Sequence, residues 1–231
     1  MVYLFLQQIY FRLKGSIKYL PWVGKLLVLL GIYLIVEYIF ALMAVEIINA
    51  IFPGMDFLHF ITGFEKIKSV QEVTLDQEHA IKIYQFATSL GRFIFVAWFF
   101  VYLCGDNFLA SVSLNKNIQS VSYGTVILIV MASGAIISLI HDWNQHLHLP
   151  SSMAEMESQM RSLEQQAKIQ TEVFLRTTTI GGFLLNILII GLLAAVGEEI
   201  FFRGVLQNIF FRGIGNAHIA IWSSAFLFSF I

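Results

Sequence analysis

The chain has 231 residues, of which 58% are hydrophobic and only 13% are charged, and its formal net charge is −1. Soluble domains have about 45–50% apolar and about 25% charged residues, so this composition excludes an ordinary soluble globule. Without a basic surplus to neutralise phosphates, nucleic acid is not an expected partner, and membrane lipid is the expected surrounding.

The predicted elements begin with a basic amphipathic helix over residues 1–21, placed at the membrane interface before Pro21. Specific lipid binding is its functional alternative. The first long apolar block, residues 26–45, exceeds a signal-peptide core and has no small-x-small cleavage site after it, so it is predicted to be a retained transmembrane helix. Further transmembrane helices are predicted over residues 84–103 and 123–140.

A long polar segment, residues 141–179, follows the third transmembrane helix. Within it, residues 153–174 have apolar side chains at alternating three- and four-residue spacing with Glu and Gln between them, which predicts an amphipathic helix. This helix either packs on the bundle or the membrane surface, or acts as a lid over the substrate. A fourth transmembrane helix is predicted from residue 180, and a final apolar helix over 217–231.

Together these elements predict an all-α, multi-span transmembrane helical bundle, with an N-terminal interfacial helix and an external amphipathic helix. We expect one membrane domain over residues 1–231. Its parts are the interfacial helix (1–21), the first three transmembrane helices (22–140), the external amphipathic segment (141–179) and a C-terminal helical hairpin (180–231).

Basic residues before the first transmembrane helix predict the orientation of the chain in the cell membrane. No acid accompanies them, and they are Arg12, Lys14, Lys18 and Lys25. The N-terminus is therefore expected in the cytoplasm. Alternation of the helices then places residues 49–82 and 141–179 outside, and Arg203 and Arg212 inside.

Ionisable residues within transmembrane helices are costly and are candidate functional groups. Glu37 lies in the middle of the first one without a nearby partner in the sequence, so it either faces the bundle interior or takes part in catalysis. The stronger candidate is the run Gly-Glu-Glu-Ile-Phe-Phe-Arg-Gly at 197–204, placed at the cytoplasmic end of the fourth transmembrane helix.

Within this run, Glu199 and Arg203 are four residues apart, which predicts an ion pair on one helix face. Glu198 is turned about a quarter of the way round the helix from Glu199. It is therefore free to act as a general base for water. The structural alternative is that the paired acids and the arginine only mark a membrane interface.

The pattern Glu-Glu-x-x-x-Arg, formed by Glu198, Glu199 and Arg203 and followed by Gly204, resembles the first motif of the CAAX protease and bacteriocin-processing (CPBP or Abi) family. The resemblance covers residues 180–231. It implies an intramembrane protease in which Glu198 and a histidine activate a water, while Arg203 orients the two glutamates. The metalloendopeptidase label of the family implies a divalent metal such as zinc. The sequence contains no His-Glu-x-x-His or other ligand set, and no metal site is identified in it.

The later motifs of the family begin with Phe-x-x-x-His on the next helix. Phe228 has the spacing of that Phe, so the histidine is expected directly after Ile231. Glu198 is 17 residues before Gly215, and a hairpin turning at Gly215 would place that histidine level with it. We therefore expect a longer gene product with further helices, and no proteolytic activity from these 231 residues alone.

The leading hypothesis is an endopeptidase that cleaves a membrane-associated peptide or protein from the cytoplasmic side. One alternative is a catalytically silent bacteriocin-immunity or scaffold membrane protein. Another is a small transporter or channel element with Glu37 and Glu198 along a polar path. His141, His146 and His148 form a possible external ion site in a polar loop, distant in sequence from Glu198.

Overall fold

The computed structural model describes residues 13–67, 69–112, 120–147, 149–177 and 179–229. Within these residues the regular secondary structure is helical, and four helices are long and apolar enough to cross a membrane. The all-α, multi-span prediction is confirmed. The chain divides into two compact units, residues 1–114 with 171–231 and residues 115–170.

The helices follow the predicted order, and most are longer than predicted. They are α1 (Trp22–Ile51), α2 (Phe57–Thr62), α3 (Leu75–Cys104), α4 (Phe108–Ser111), α5 (Ser120–Gln145), α6 (Ala154–Leu175), α7 (Ile180–Ile214) and α8 (Ala217–Phe228). The start of α3 shows why the apolar pattern underestimates length. Thr74 and Gln77 form a capping box there, so the helix begins nine residues before its apolar stretch.

Two of the long helices contain π-helical turns. In α3 the turn covers Leu90–Phe95, and α7 contains turns at Ile187–Leu193 and Glu199–Leu206. At the end of the last one, the N–H of Gln207 donates to the carbonyl of Phe202, five residues earlier. A π turn accommodates an extra residue and rotates the following side chains relative to a regular helix. Helical periodicity in the sequence gave no sign of these turns.

The helix that contains the predicted motif is held by an aromatic cluster. Phe93 of α3 lies directly against Gly197, where an added Cβ would come within 3.0 Å of the Phe93 Cβ. The Phe93 ring centroid is 6.0 Å from that of Phe201 and 6.4 Å from that of Phe202. Tyr33 of α1 completes the cluster at 5.7 Å from Phe201. Three long helices therefore meet immediately next to Glu198.

The connection between α7 and α8 is a tight hairpin. Gly215 has φ +75°, which a residue with a Cβ rarely adopts, and the Asn216 side chain accepts hydrogen bonds from the first N–H groups of α8. Phe202 and Phe228 are each 13 residues from Gly215, and their rings meet edge to face at 5.0 Å. The Ser224 hydroxyl also donates to the Phe202 carbonyl at 3.2 Å. The predicted mirror register of the hairpin is therefore observed at this pair.

At one end of the first unit, residues 13–21 lie next to the ends of α3 and α7. The N–H of Gly15 donates to the Tyr102 carbonyl at 3.3 Å, and the N–H of Ile17 donates to the Leu103 carbonyl at 3.1 Å. Gly15 has φ +76° and residues 14–19 form turns, so the helix predicted over 1–21 does not continue through this stretch. The rest of that predicted helix, residues 1–12, lies outside the described residues.

The opposite end of the first unit contains a buried ionic network that the sequence analysis missed. Arg176, just before α7, donates to the Glu78 carboxylate at 2.8 Å and to the carbonyls of Val70 and Val73 at 3.0 and 2.9 Å. Lys82 lies 2.8 Å from the other Glu78 oxygen, and both of these side chains are 4% exposed. Residues from both polar segments predicted on the outer side therefore meet at this end of the first unit.

The second unit is a helical hairpin built from α5 and most of α6. Gln145 donates to Glu164 at 3.1 Å, which joins the two helices. Glu157 accepts from the N–H of Leu149 at 2.9 Å and from Arg161 at 3.0 Å, which orders the connecting loop. The amphipathic helix predicted over 153–174 is confirmed as α6.

Candidate active site

One groove between α7 and α8 contains all four residues that the family resemblance singled out, namely Glu198, Glu199, Arg203 and Phe228. Its volume is about 210 Å³. The lining residues are Glu198, Glu199, Phe202, Arg203, Gln207, Ile221, Ser224, Ala225 and Phe228. The hairpin register explains this grouping, because the contact between Phe202 and Phe228 places the motif of α7 opposite the second half of α8.

Glu198 lies in the interior of α7. The sequence had placed the motif at the cytoplasmic end of its helix, but α7 continues to Ile214. The reason is that residues 200–211 are mostly apolar and bury Ile200, Phe201 and Phe202. The motif is therefore part of the packed helix and lies in its interior, not at the helix end that the sequence predicted.

The two glutamates occupy different surroundings. Glu198 is half-buried at the end of an α-helical turn, and Glu199 is the first residue of the π turn. Glu199 and Arg203 also line a second groove, of about 580 Å³, next to Ser111 at the end of α4, whereas Glu198 does not. The Glu199–Arg203 pair thus borders both grooves, and of these two grooves Glu198 lines the one at α8.

Glu199 and Arg203 form the ion pair that their spacing predicts. Arg203 Nη1 lies 3.0 Å from Glu199 Oε2, with 73% and 54% of the two side chains exposed. The guanidinium orients the Glu199 carboxylate along the helix face. Within the described part of the chain, the Glu198 carboxylate has no ion-pair or hydrogen-bond partner, so its oxygens can accept a proton or a hydrogen bond from a molecule in the groove.

Comparison with known families identifies the segment that contains this groove. Residues 180–231 match the family model for Rce1-like type II CAAX prenyl endopeptidases. No curated protein and no solved structure significantly matches the chain. The matched segment, hereafter the CAAX-protease-like segment, contains α7, α8 and all four predicted site residues.

The described residues do not form a metal site in the CAAX-protease-like segment. The α7–α8 groove contains two carboxylates, and Arg203 neutralises one of them. No group of three His, Cys, Asp or Glu side chains is arranged for metal binding anywhere among the described residues. Zinc needs three or four such ligands, so the described groups do not fit it.

The histidine cluster predicted as an external ion site is only partly described. His141 lies 3.3 Å from the Gln145 side chain, and His146 Nδ1 lies 2.6 Å from the Asp142 carbonyl oxygen. His148 lies outside the described residues. The ion site therefore stays a prediction.

Glu37 has a partner that the sequence analysis missed. Arg92 of α3 donates from Nε to Glu37 Oε2 at 2.8 Å, and its Nη2 contacts Oε1. The Glu37 carboxyl thus pairs with a second transmembrane helix, as expected for a charge turned toward the bundle. The sequence showed that each charge is costly in an apolar helix, but its spacing did not identify which residues pair.

Proposed function

We propose that this protein is an intramembrane endopeptidase of the CAAX-protease type that cleaves a membrane-associated peptide or protein, with Glu198 as the general base. The observation that carries the proposal is the family match on the hairpin whose groove contains Glu198. The resemblance of the Glu-Glu-x-x-x-Arg pattern supports the same reaction class. At the level of the family, the match itself supports a protease.

Glu198 would act on a water bound in the α7–α8 groove. Its carboxylate takes a proton from the water while the water oxygen attacks the carbonyl carbon of the scissile peptide bond. The C–N bond then breaks, and the amine leaves with the proton that Glu198 accepted. Phe202 and Phe228 form an apolar wall beside the carboxylate, which limits the number of waters that reach it.

Glu199 and Arg203 would support Glu198 without taking the proton. Their mutual ion pair lies along the first turn of the π segment, directly after Glu198. Gly197 lies against Phe93 on the other side of Glu198, which holds the backbone of α7 close to α3. The candidate base is therefore fixed by contacts on both sides in sequence, as general-base catalysis requires of a positioned group.

The test compares membranes from cells that express the protein from its own gene with membranes from cells that express Glu198→Gln. New peptide N-termini on membrane-associated proteins are identified by mass spectrometry. Glu198-dependent cleavage predicts termini that are present with the natural protein and lost with Glu198→Gln. General-base catalysis contributes about 10²–10⁴-fold to a rate, so the loss should be near complete.

Glu46→Gln is the matched control, because Glu46 is also a carboxylate of a transmembrane helix but lies exposed on α1 and does not line the groove. This variant should keep the termini. Equal termini with and without Glu198, at equal protein levels, would contradict the proposal and favour a catalytically silent immunity or scaffold protein.

A further inference from the structure

A second charged cavity lies in the first unit, at the end where α1 begins and α3 and α7 end. Its volume is about 230 Å³, and its charged lining residues are Lys25, Asp106 and Arg212. Arg212 Nη1 lies 2.8 Å from Asp106 Oδ2, so this carboxylate is paired within the cavity. Lys25 adds a second cation. The described lining therefore has a net positive charge and favours an anion.

The inner wall of this cavity is apolar. Phe100 and Val101 of α3 and Val205 and Ile209 of α7 form it, and all four side chains are buried. Trp22 lies beside them at the start of α1. Tryptophan is enriched where the hydrocarbon core of a bilayer meets the headgroups. The cavity thus has cations on one part of its lining and an apolar surface on another.

The ends of three membrane-crossing helices define the depth of the cavity. Trp22 begins α1, Cys104 ends α3, and Arg212 lies in the last turn of α7, and all three residues line the cavity. Helix ends of this kind lie at the level of the lipid headgroups. A phosphate bound at this depth would therefore be at the level of a phospholipid headgroup.

We propose that this cavity binds the headgroup phosphate of an anionic phospholipid between Lys25 and Arg212. The Arg212 guanidinium has five N–H groups, and the contact with Asp106 engages Nη1, so the same side chain can contact a phosphate as well. Lys25 supplies a second contact from α1. Binding joins the start of α1 to the end of α7 and is independent of peptide hydrolysis, since Glu198 does not line the cavity.

The experiment measures lipid binding to the purified full chain by native mass spectrometry in detergent. Phosphatidylglycerol is the anionic probe, and phosphatidylcholine is the zwitterionic comparison. We expect preferential retention of phosphatidylglycerol by the natural protein. The variant Lys25→Gln/Arg212→Gln should weaken this binding by about fivefold for each cation removed.

The matched control is Lys14→Gln/Lys18→Gln. Both lysines are exposed at the same end of the unit, and neither lines the cavity, so the control removes the same charge without changing the site. It should bind phosphatidylglycerol as the natural protein does. Lys25→Glu provides a variant that leaves the Arg212–Asp106 pair intact, and it should also lose phosphatidylglycerol at an unchanged melting temperature.

Three results would overturn the proposal. Equal weakening by the Lys14/Lys18 control would show general attraction to a charged surface. Equal binding of phosphatidylcholine would show that the anionic headgroup is not recognised. Binding of inorganic phosphate alone, as tightly as the lipid, would assign the cavity to a free anion.

Discussion

Two glutamate–arginine pairs in the long helices differ in what they connect. Glu37 and Arg92 join α1 to α3, through two contacts and with about a quarter of each side chain exposed. Glu199 and Arg203 lie on the same helix and are mostly exposed within the structure. A pair between helices constrains tertiary packing, whereas an i,i+4 pair stabilises only its own turn. At the scale of single residues, the first pair should matter more for stability.

Glu37→Gln should lower the stability of the detergent-purified protein by about 1–3 kcal/mol, because the charged Arg92 loses its carboxylate. Glu199→Gln or Arg203→Ala should also lower it, by no more than about 0.5 kcal/mol, since exposed i,i+4 pairs contribute little. Thermal unfolding measures both effects. The double variant Glu37→Gln/Arg92→Gln should recover part of the loss, and an equal or larger loss in the Glu199 and Arg203 variants would contradict this ranking.

At the scale of elements, close contacts between helices occur where glycines meet aromatic rings. Gly197 of α7 lies against Phe93, and Gly91 in the π turn of α3 lies against Phe40 of α1. The Phe40 ring cannot move away freely, because it packs on Phe95 with ring centroids 5.6 Å apart. These contacts determine how far α3 is from its neighbours and so help to position the groove.

Gly91→Ala should therefore destabilise the protein. An added Cβ would lie 2.4 Å from Phe40 Cγ, and overpacking of this kind costs about 1–3 kcal/mol. Gly31→Ala in α1 is the matched control, because no atom lies within 4 Å of its added Cβ. This control should be neutral or stabilise the helix by up to about 1 kcal/mol. Melting temperatures in detergent test the order, and a lower value for Gly31→Ala than for Gly91→Ala would contradict it.

At the scale of the whole molecule, the first unit has two chemically distinct ends. Lys25, Asp106 and Arg212 lie at one end, and Glu78, Lys82 and Arg176 at the other. This agrees with the alternation of four long helices inferred from the sequence. The end bearing Lys25 also receives the segment that contains Lys14 and Lys18, and basic residues favour the cytoplasmic side.

The orientation can be measured by labelling intact cells with a membrane-impermeant thiol reagent, in a Cys104→Ala background. A cysteine at Ser158 should be modified from outside, and a cysteine at Lys14 should not be, because the positive-inside rule places Lys14 in the cytoplasm. Permeabilised cells provide the control, in which both should react. Modification of the Lys14 position alone in intact cells would reverse the predicted topology.

The sequence by itself determined the features that depend on local spacing. Apolar blocks of membrane-spanning length predicted the four long helices, and the separation of Glu199 and Arg203 predicted their ion pair. Gly215 predicted the position of the hairpin, and the structure shows a left-handed Gly215 and an Asn216 cap at this break. Phe228 was singled out by the family resemblance, and the hairpin register accounts for its contact with Phe202.

Only the tertiary structure decided which side chains meet across helices. Arg92 is 55 positions from Glu37 and Arg176 is 98 from Glu78, and no local pattern relates residues so far apart. Their meeting depends on how each helix is rotated and how deep it lies. The π turns and the packing of Phe93 against Gly197 affect both quantities. The same packing decides that Glu199 and Arg203 border two grooves, because Ser111 at the end of α4 lies beside them on one side and α8 on the other.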